Sequence, residues 1–151
     1  MSNDQAKKPQ KEPIGLQVQR TAKTLNRAFD RALAEQGGSL PTWLILLSLK
    51  AGKWETQRQL AAAVGIEGAT LTHHLDGLER AGLITRRRDP ENRRVQRVEL
   101  TRKGDEAFFR LRRAAMRFDQ RLREGVGEDE LETVRAALSR LQANVSERDA
   151  R

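Results

Sequence analysis

The chain has 151 residues, enough for one compact domain with a core of its own. It carries 29 Lys and Arg against 21 Asp and Glu, a formal net charge of +8, so an anionic partner is expected, nucleic acid ahead of a membrane surface. Cysteine is absent, which excludes thiol chemistry, disulfides and cysteine-ligated metal; with no apolar run of bilayer length and no apolar stretch in the opening MSNDQAKKPQKEP, a cytoplasmic protein with no membrane partner is expected.

Residues 1–14 are polar, Lys-bearing and punctuated by proline, and read as a disordered basic arm. From Gly15 to Gln36 the apolar positions Val18, Ala22, Leu25, Phe29 and Leu33 form one stripe of a long helix, which Gly37 and Gly38 end. Pro41 opens a second helix, TWLILLSL, apolar on almost every face and therefore expected to be buried, ending near Gly52. Thr56 followed by Gln59 is a capping-box signature for a third helix, QRQLAAAV, and Gly65 supplies the turn after it. A fourth helix is predicted from about Glu67 to Ala81, with Leu71, Leu75 and Leu78 inward and Gly82 as its stop.

LITRRR and RRVQRVEL read as two strands, and Asp89-Pro90-Glu91-Asn92 is turn chemistry between them. Thr101 caps a fifth helix whose Phe108, Leu111, Ala115, Phe118 and Leu122 recur three and four apart, like a coiled-coil seam. Gly125 and Gly127 break it. Glu128, Asp129 and Glu130 then favour the start of a last helix, striped by Leu131, Val134, Leu138, Leu141 and Val145, with residues 146–151 as a tail. The expected fold class is mainly α (α+β): a helix-turn-helix and wing over residues 56–100, with long helices over 15–36 and 101–145 left to dimerise.

Charge placement gives this outline its chemistry. Six arginines (86, 87, 88, 93, 94 and 97) crowd the hairpin, whereas acids outnumber bases from Glu128 to the end. In a helix-turn-helix the second helix enters the major groove and its exposed face reads base edges. With the leucines of the fourth helix inward, helical phase puts Ala69, Thr72, His73, Asp76 and Arg80 outward, with Thr70 at the margin. Thr72 and His73 are suited to base edges; Asp76 is suited to a cytosine amine or to orienting an arginine. Hairpin arginines such as Arg86, Arg88, Arg93 and Arg94 are expected to neutralise phosphates, and Thr56 and Gln57, at a helix N-terminus, to bind them too.

The adjacent His73 and His74 point about 100° apart on a helix, and no cysteine or third histidine completes a set, so no metal is expected. His74 reads as a packing residue at the core edge, and Trp54 as a clamp between the segment before the third helix and the wing. No nucleophile–base pair, phosphate loop or carboxylate cluster is evident; the chain reads as a non-enzyme that needs no cofactor.

The run AVGIEGATLTHHLDGLERAGLITRRRDPENRRVQRVELTRKG resembles the MarR family of winged-helix transcriptional regulators. The likeness rests on a recognition helix ending in Leu78-Glu79, the Gly82-Leu83-Ile84 start of the wing, an arginine-flanked tip, and Leu100-Thr101 with Gly104 opening the next helix; the helix order extends it over residues 15–145. The resemblance implies a homodimer interlocked through the first, fifth and last helices, with Leu25, Phe118, Leu122, Leu131, Leu138 and Leu141 at the interface. It implies a palindromic double-stranded DNA operator and Arg94 as the wing arginine of the minor groove. It also implies a repressor relieved by a small non-covalent effector, with Phe29, Trp43 and Leu47 as plain core or cavity lining and Arg112 to receive a carboxylate. Two positions depart from the family pattern. Asn92 stands where an acid is usual before the tip arginines, which leaves either a looser tip or Asp89 or Glu91 in that role, and Glu67 stands where Ser or Asp commonly caps the recognition helix. The rival readings are an architectural DNA-binding protein and a winged-helix protein-interaction module without an effector.

Overall fold

The computed structural model describes residues 11–52 and 56–149. It holds six helices and one hairpin: α1 (Ile14–Ala34), α2 (Leu40–Lys50), α3 (Gln57–Val64), α4 (Gly68–Arg80), β1 (Ile84–Arg88), β2 (Gln96–Leu100), α5 (Arg102–Leu122) and α6 (Glu128–Asp149). The chain divides into two compact units, one up to Ala115 and one from Met116. None of the described helices is long and apolar enough to cross a membrane. Trp54 and residues 1–10 of the basic arm lie outside the described residues.

In the first unit, α2 explains why its sequence is apolar nearly all round: it is shared by two cores. Trp43 and Leu46 join Leu33 of α1 and Ala107, Phe108, Leu111 and Ala114 of α5. Ile45 turns the other way, to Leu60 and Ala61 of α3, Leu71, Leu75 and Leu78 of α4, and Ile84 of β1. Leu83 and Leu100 touch both clusters and tie them together. Fully burying a leucine contributes about 1.5–3 kcal/mol, so the helix-turn-helix is anchored mainly through α2 and these leucines. Burial is not complete: Leu47 remains 42% exposed, contrary to the expectation of a fully buried second helix.

The capping signals act as read. Thr56 Oγ1 accepts from the Gln59 main-chain N–H at 3.1 Å, and the Gln59 side chain accepts from the Thr56 N–H at 3.0 Å, a complete capping box. Gly65 follows with φ +73°, a left-handed value suited to glycine. α2 begins at Leu40, one residue ahead of the expected Pro41, and is capped by Ser39, whose hydroxyl accepts from the Thr42 N–H. Glu67 precedes α4 without a side-chain capping bond.

The hairpin pairs Ile84 with Leu100, Arg86 with Val98, Arg87 with Arg97 and Arg88 with Gln96, antiparallel. Alternation puts Arg86 and Arg88 on the face of buried Ile84, and Arg87 on the other. Arg87 and Arg97 are like charges directly opposite, which is unfavourable by itself. Asp89 offsets it: its carboxylate accepts from Arg97 Nε at 2.9 Å and lies 2.8 Å from the terminal nitrogen.

In the second unit, Gly125 (φ +76°) turns the chain from the end of α5 into α6. Glu130 accepts from the Gly127 N–H at 2.8 Å and so closes the first turn of α6. Arg123 pairs with Glu128 at 2.6 Å across that turn. The helix runs to Asp149, so most of the tail placed at 146–151 is helical; within it the Ser146 hydroxyl donates to the Gln142 carbonyl. The stripe on α6 stays bare: only Leu131 is half-buried, while Val134, Leu138, Leu141 and Val145 are exposed.

Candidate nucleic-acid interface

The outward face of α4 carries Gly68, Ala69, Thr70 and His73, all exposed, with Leu71, Leu75 and Leu78 beneath. Small residues in the first turn leave the backbone open to close approach, and the His73 imidazole stands clear as a donor and acceptor. His74 is half-buried, its ring 6.0 Å from that of His73. Among the described residues no group of three potential ligands for a metal is present.

Thr72 differs from its expected role. Its hydroxyl donates to the Gly68 carbonyl at 2.9 Å and accepts from Gln57 Nε2 at 2.7 Å. The two residues assigned to base and phosphate thus hold each other, tying the N-terminus of α3 to the recognition helix. A base contact by the Thr72 hydroxyl has to break a bond or use its remaining lone pair; its methyl is unconstrained by either.

Arg86 departs from the expectation of a phosphate contact. Its guanidinium is held by Asp76, with which it pairs closely, and by Glu79 Oε1 at 3.1 Å. Its main-chain N–H also donates to Glu79 Oε2 at 3.0 Å. The side chain is only 14% exposed. The hydrogen bond from Arg86 holds the Glu79 carboxyl below the usual carboxylate range, and burial opposes it only in part. Sequence reasoning misses Glu79 as a site residue because it lies on the solvent side of α4, where an acid ordinarily means solubility.

The wing tip is more ordered than Asn92 suggests. Asp89 is buried; its Oδ1 accepts from the Glu91 N–H at 2.9 Å while Oδ2 takes Arg97. Those contacts, the Glu91 main chain first and Arg97 next, hold its carboxyl below the ordinary range. Asn92 Oδ1 accepts from the Arg94 N–H at 3.2 Å. Asp89, not Glu91, therefore supplies the acid that pairs within the wing.

Beside this hairpin, Thr56, Gln57 and Arg58 of α3 face Arg88, Arg93, Arg94 and Gln96 across a crevice of about 440 Å³. Every charged side chain lining it is an arginine. The potential is of one sign, and the first residues of α3, at the positive end of that helix dipole, line the same crevice, so it suits a phosphate backbone. Arg58 is not among the residues singled out from the sequence, although a signal exists: a cation in the first turn of a helix opposes the helix dipole, and an anionic partner accounts for it.

The residues assigned to an effector separate. Trp43 lies parallel to Phe108 with ring centroids 5.6 Å apart, and Phe29 packs against the same cluster. Leu47 and Arg112 are exposed. Trp43 is thus packed core, its ring stacked between α2 and α5, whereas Phe29 lies half-buried against that core. Of the expected dimerisation residues, Leu25, Phe118 and Leu131 are half-buried, and Leu122, Leu138 and Leu141 are exposed.

Comparison with known proteins places this geometry. Residues 39–95 match the model of the MarR family. The chain is 33% identical to the transcriptional regulator PA3341, covering 89% of this chain and 99% of that one with a TM-score of 0.76. It is 27% identical to the transcriptional repressor CouR in complex with a 23-mer DNA duplex, covering 86% and 92% at TM-score 0.79. The DNA complex of the M. tuberculosis regulator MOSR is 29% identical, with coverage of 89% and 98% and a TM-score of 0.72.

Proposed function

The chain belongs to the MarR family of winged-helix DNA-binding transcriptional regulators, and on that premise we propose that it is a homodimeric repressor of a pseudo-palindromic operator. The observation that carries this reading is the crevice lined by Arg58, Arg88, Arg93 and Arg94 next to the exposed face of α4. The arginines supply salt-dependent affinity of low sequence preference. His73, Ala69 and Thr70 supply discrimination at base edges. Two such heads reach successive major grooves when their recognition helices stand about 34 Å apart. Control is non-covalent on this reading, since no cysteine is present for oxidation to a sulfenic acid or disulfide.

Selection of duplexes from a random library by the full chain tests the reading. A palindromic consensus should emerge and bind at least about 10³-fold tighter than random DNA, the lower end for specific regulators. Indifference to sequence would leave an architectural role, and indifference to duplex DNA a protein-binding one. His73→Ala should weaken the selected duplex while changing random DNA little; equal losses on both would move His73 from base reading to phosphate contact or folding.

Arg94 lies at the exposed wing tip in the crevice lining. Arg94→Ala is expected to cost about 1–3 kcal/mol of operator affinity and to relax the preference for A·T-rich flanks, where the narrow minor groove concentrates negative potential. An anisotropy titration with flank-substituted duplexes measures both effects, and unchanged binding would remove Arg94 from the minor groove.

A further inference from the structure

The hairpin carries six arginines, and one of them is placed unlike those of the crevice. Arg86 sits in mid-strand on β1, and its guanidinium bridges two carboxylates three residues apart on α4, those of Asp76 and Glu79. Its own main-chain N–H adds a third bond, the second to Glu79. Two acids on the DNA-facing helix are unfavourable beside phosphates, and this arginine compensates both. Arg88, two residues further along the same strand face, lines the crevice with Arg93 and Arg94.

We propose that Arg86 is a positioning residue for DNA reading: it clamps the wing to the recognition helix through Asp76 and Glu79, so that α4 and the wing arginines meet the duplex as one rigid head. The inference rests on the DNA-binding reading above and specifies how its site is set. A planar guanidinium fork suits two carboxylates at once, where an ammonium offers a point charge. The lever is long. At about 3.3 Å per strand residue the tip lies about 13 Å beyond Arg86. A tilt of about 20° at the clamp therefore moves the tip arginines by about 4–5 Å, close to the width of the minor groove, about 6 Å. Loss of the clamp is expected to misplace Arg88, Arg93 and Arg94 together without removing any of their charges.

The test separates positioning from phosphate contact by salt dependence. The probes are the duplex selected by the wild-type protein from a random library and a random duplex of equal length, each titrated across a salt series. Arg86→Lys, which keeps the charge beside Asp76 and Glu79 but not the fork, is expected to bind the selected duplex at least tenfold more weakly, with little change on random DNA and an unchanged slope of log affinity against log salt. Arg88→Gln should instead reduce that slope by about one, as for a lost phosphate contact. A slope reduced by about one in Arg86→Lys would overturn the proposal, as would unchanged affinity for the selected duplex. If Arg86→Lys does not fold by circular dichroism, Arg86→Gln carries the comparison through the two duplexes: the bared carboxylates repel both alike, so equal losses on selected and random DNA would overturn the proposal equally. If the wild-type chain selects no sequence at all, the DNA-binding reading fails and the proposal with it, whereas failure in the variants alone leaves that reading standing.

Discussion

Gly104→Ala should destabilise the fold by about 3 kcal/mol, although glycine to alanine in a helix ordinarily stabilises by up to about 1 kcal/mol. Gly104 is buried in the first turn of α5, and a Cβ there would collide with the main-chain carbonyl of Leu83 and approach Leu100 Cδ2 to 3.2 Å. The obstacle is backbone, and it is not free to retreat: the Leu83 carbonyl accepts from the Thr101 N–H at 3.0 Å. Thr101 Oγ1 meanwhile accepts from the Gly104 N–H and donates to the Gly82 carbonyl at 2.6 Å, while Lys103 Nζ donates to the Ala81 carbonyl. These bonds lock the start of α5 onto the link between α4 and β1. Relief of the clash must open that lock or shift Leu83 and Leu100, which serve both cores. Against a total stability of about 5–15 kcal/mol this is a large fraction, and the wing would be displaced with the link that carries it. Urea unfolding measures it; a variant as stable as the wild type would mean that α5 and the α4–β1 link do not approach as described.

The sign of that effect is hidden in the sequence, though the residues are visible. Leu100-Thr101 and Gly104 read as the start of a helix, but a glycine in a first turn is as compatible with weak propensity as with a close backbone approach. Local signals survive best where their physics is local. The Thr56–Gln59 capping box involves residues three apart, and the Leu71, Leu75 and Leu78 stripe needs only helical period, so both stand in the structure as read. Arg86 escapes such reading for the opposite reason. That Arg86 and Arg88 share the face of Ile84 follows from strand alternation, but that Arg86 meets Asp76 and Glu79 while Arg88 stays exposed depends on how the hairpin folds back on α4. In α2 the apolar residues surround the helix and leave no phase to read, so the exposure of Leu47 and the stacking of Trp43 on Phe108 emerge only with tertiary packing.

If the chain pairs as proposed, Leu138→Asp is expected to abolish the dimer and, with it, tight operator binding. On α6 Leu138 is 45% exposed and Val145 63%, and Val134 and Leu141 continue the same three- and four-residue spacing, so one chain alone leaves the stripe in water. A second copy is the natural cover. In a two-fold interface one substitution appears twice, and at about 2–7 kcal/mol for each uncompensated polar group the cost is comparable to the roughly 8–12 kcal/mol of a micromolar to nanomolar dimer. Loss of pairing then acts on DNA without touching a DNA-facing residue. A second head joined to the first meets its half-site at an effective concentration in the millimolar range; a separated head must find it from dilute solution, and affinity drops by orders of magnitude. Because Leu138 is exposed in the single chain, the variant should keep its helical content, so that loss of dimer is not confused with unfolding. Sedimentation at micromolar concentration, with circular dichroism and operator titration on the same samples, reads all three. A wild-type chain that sediments as a monomer would overturn the dimer itself, and a Leu138→Asp variant that remains dimeric and bound would place the interface elsewhere.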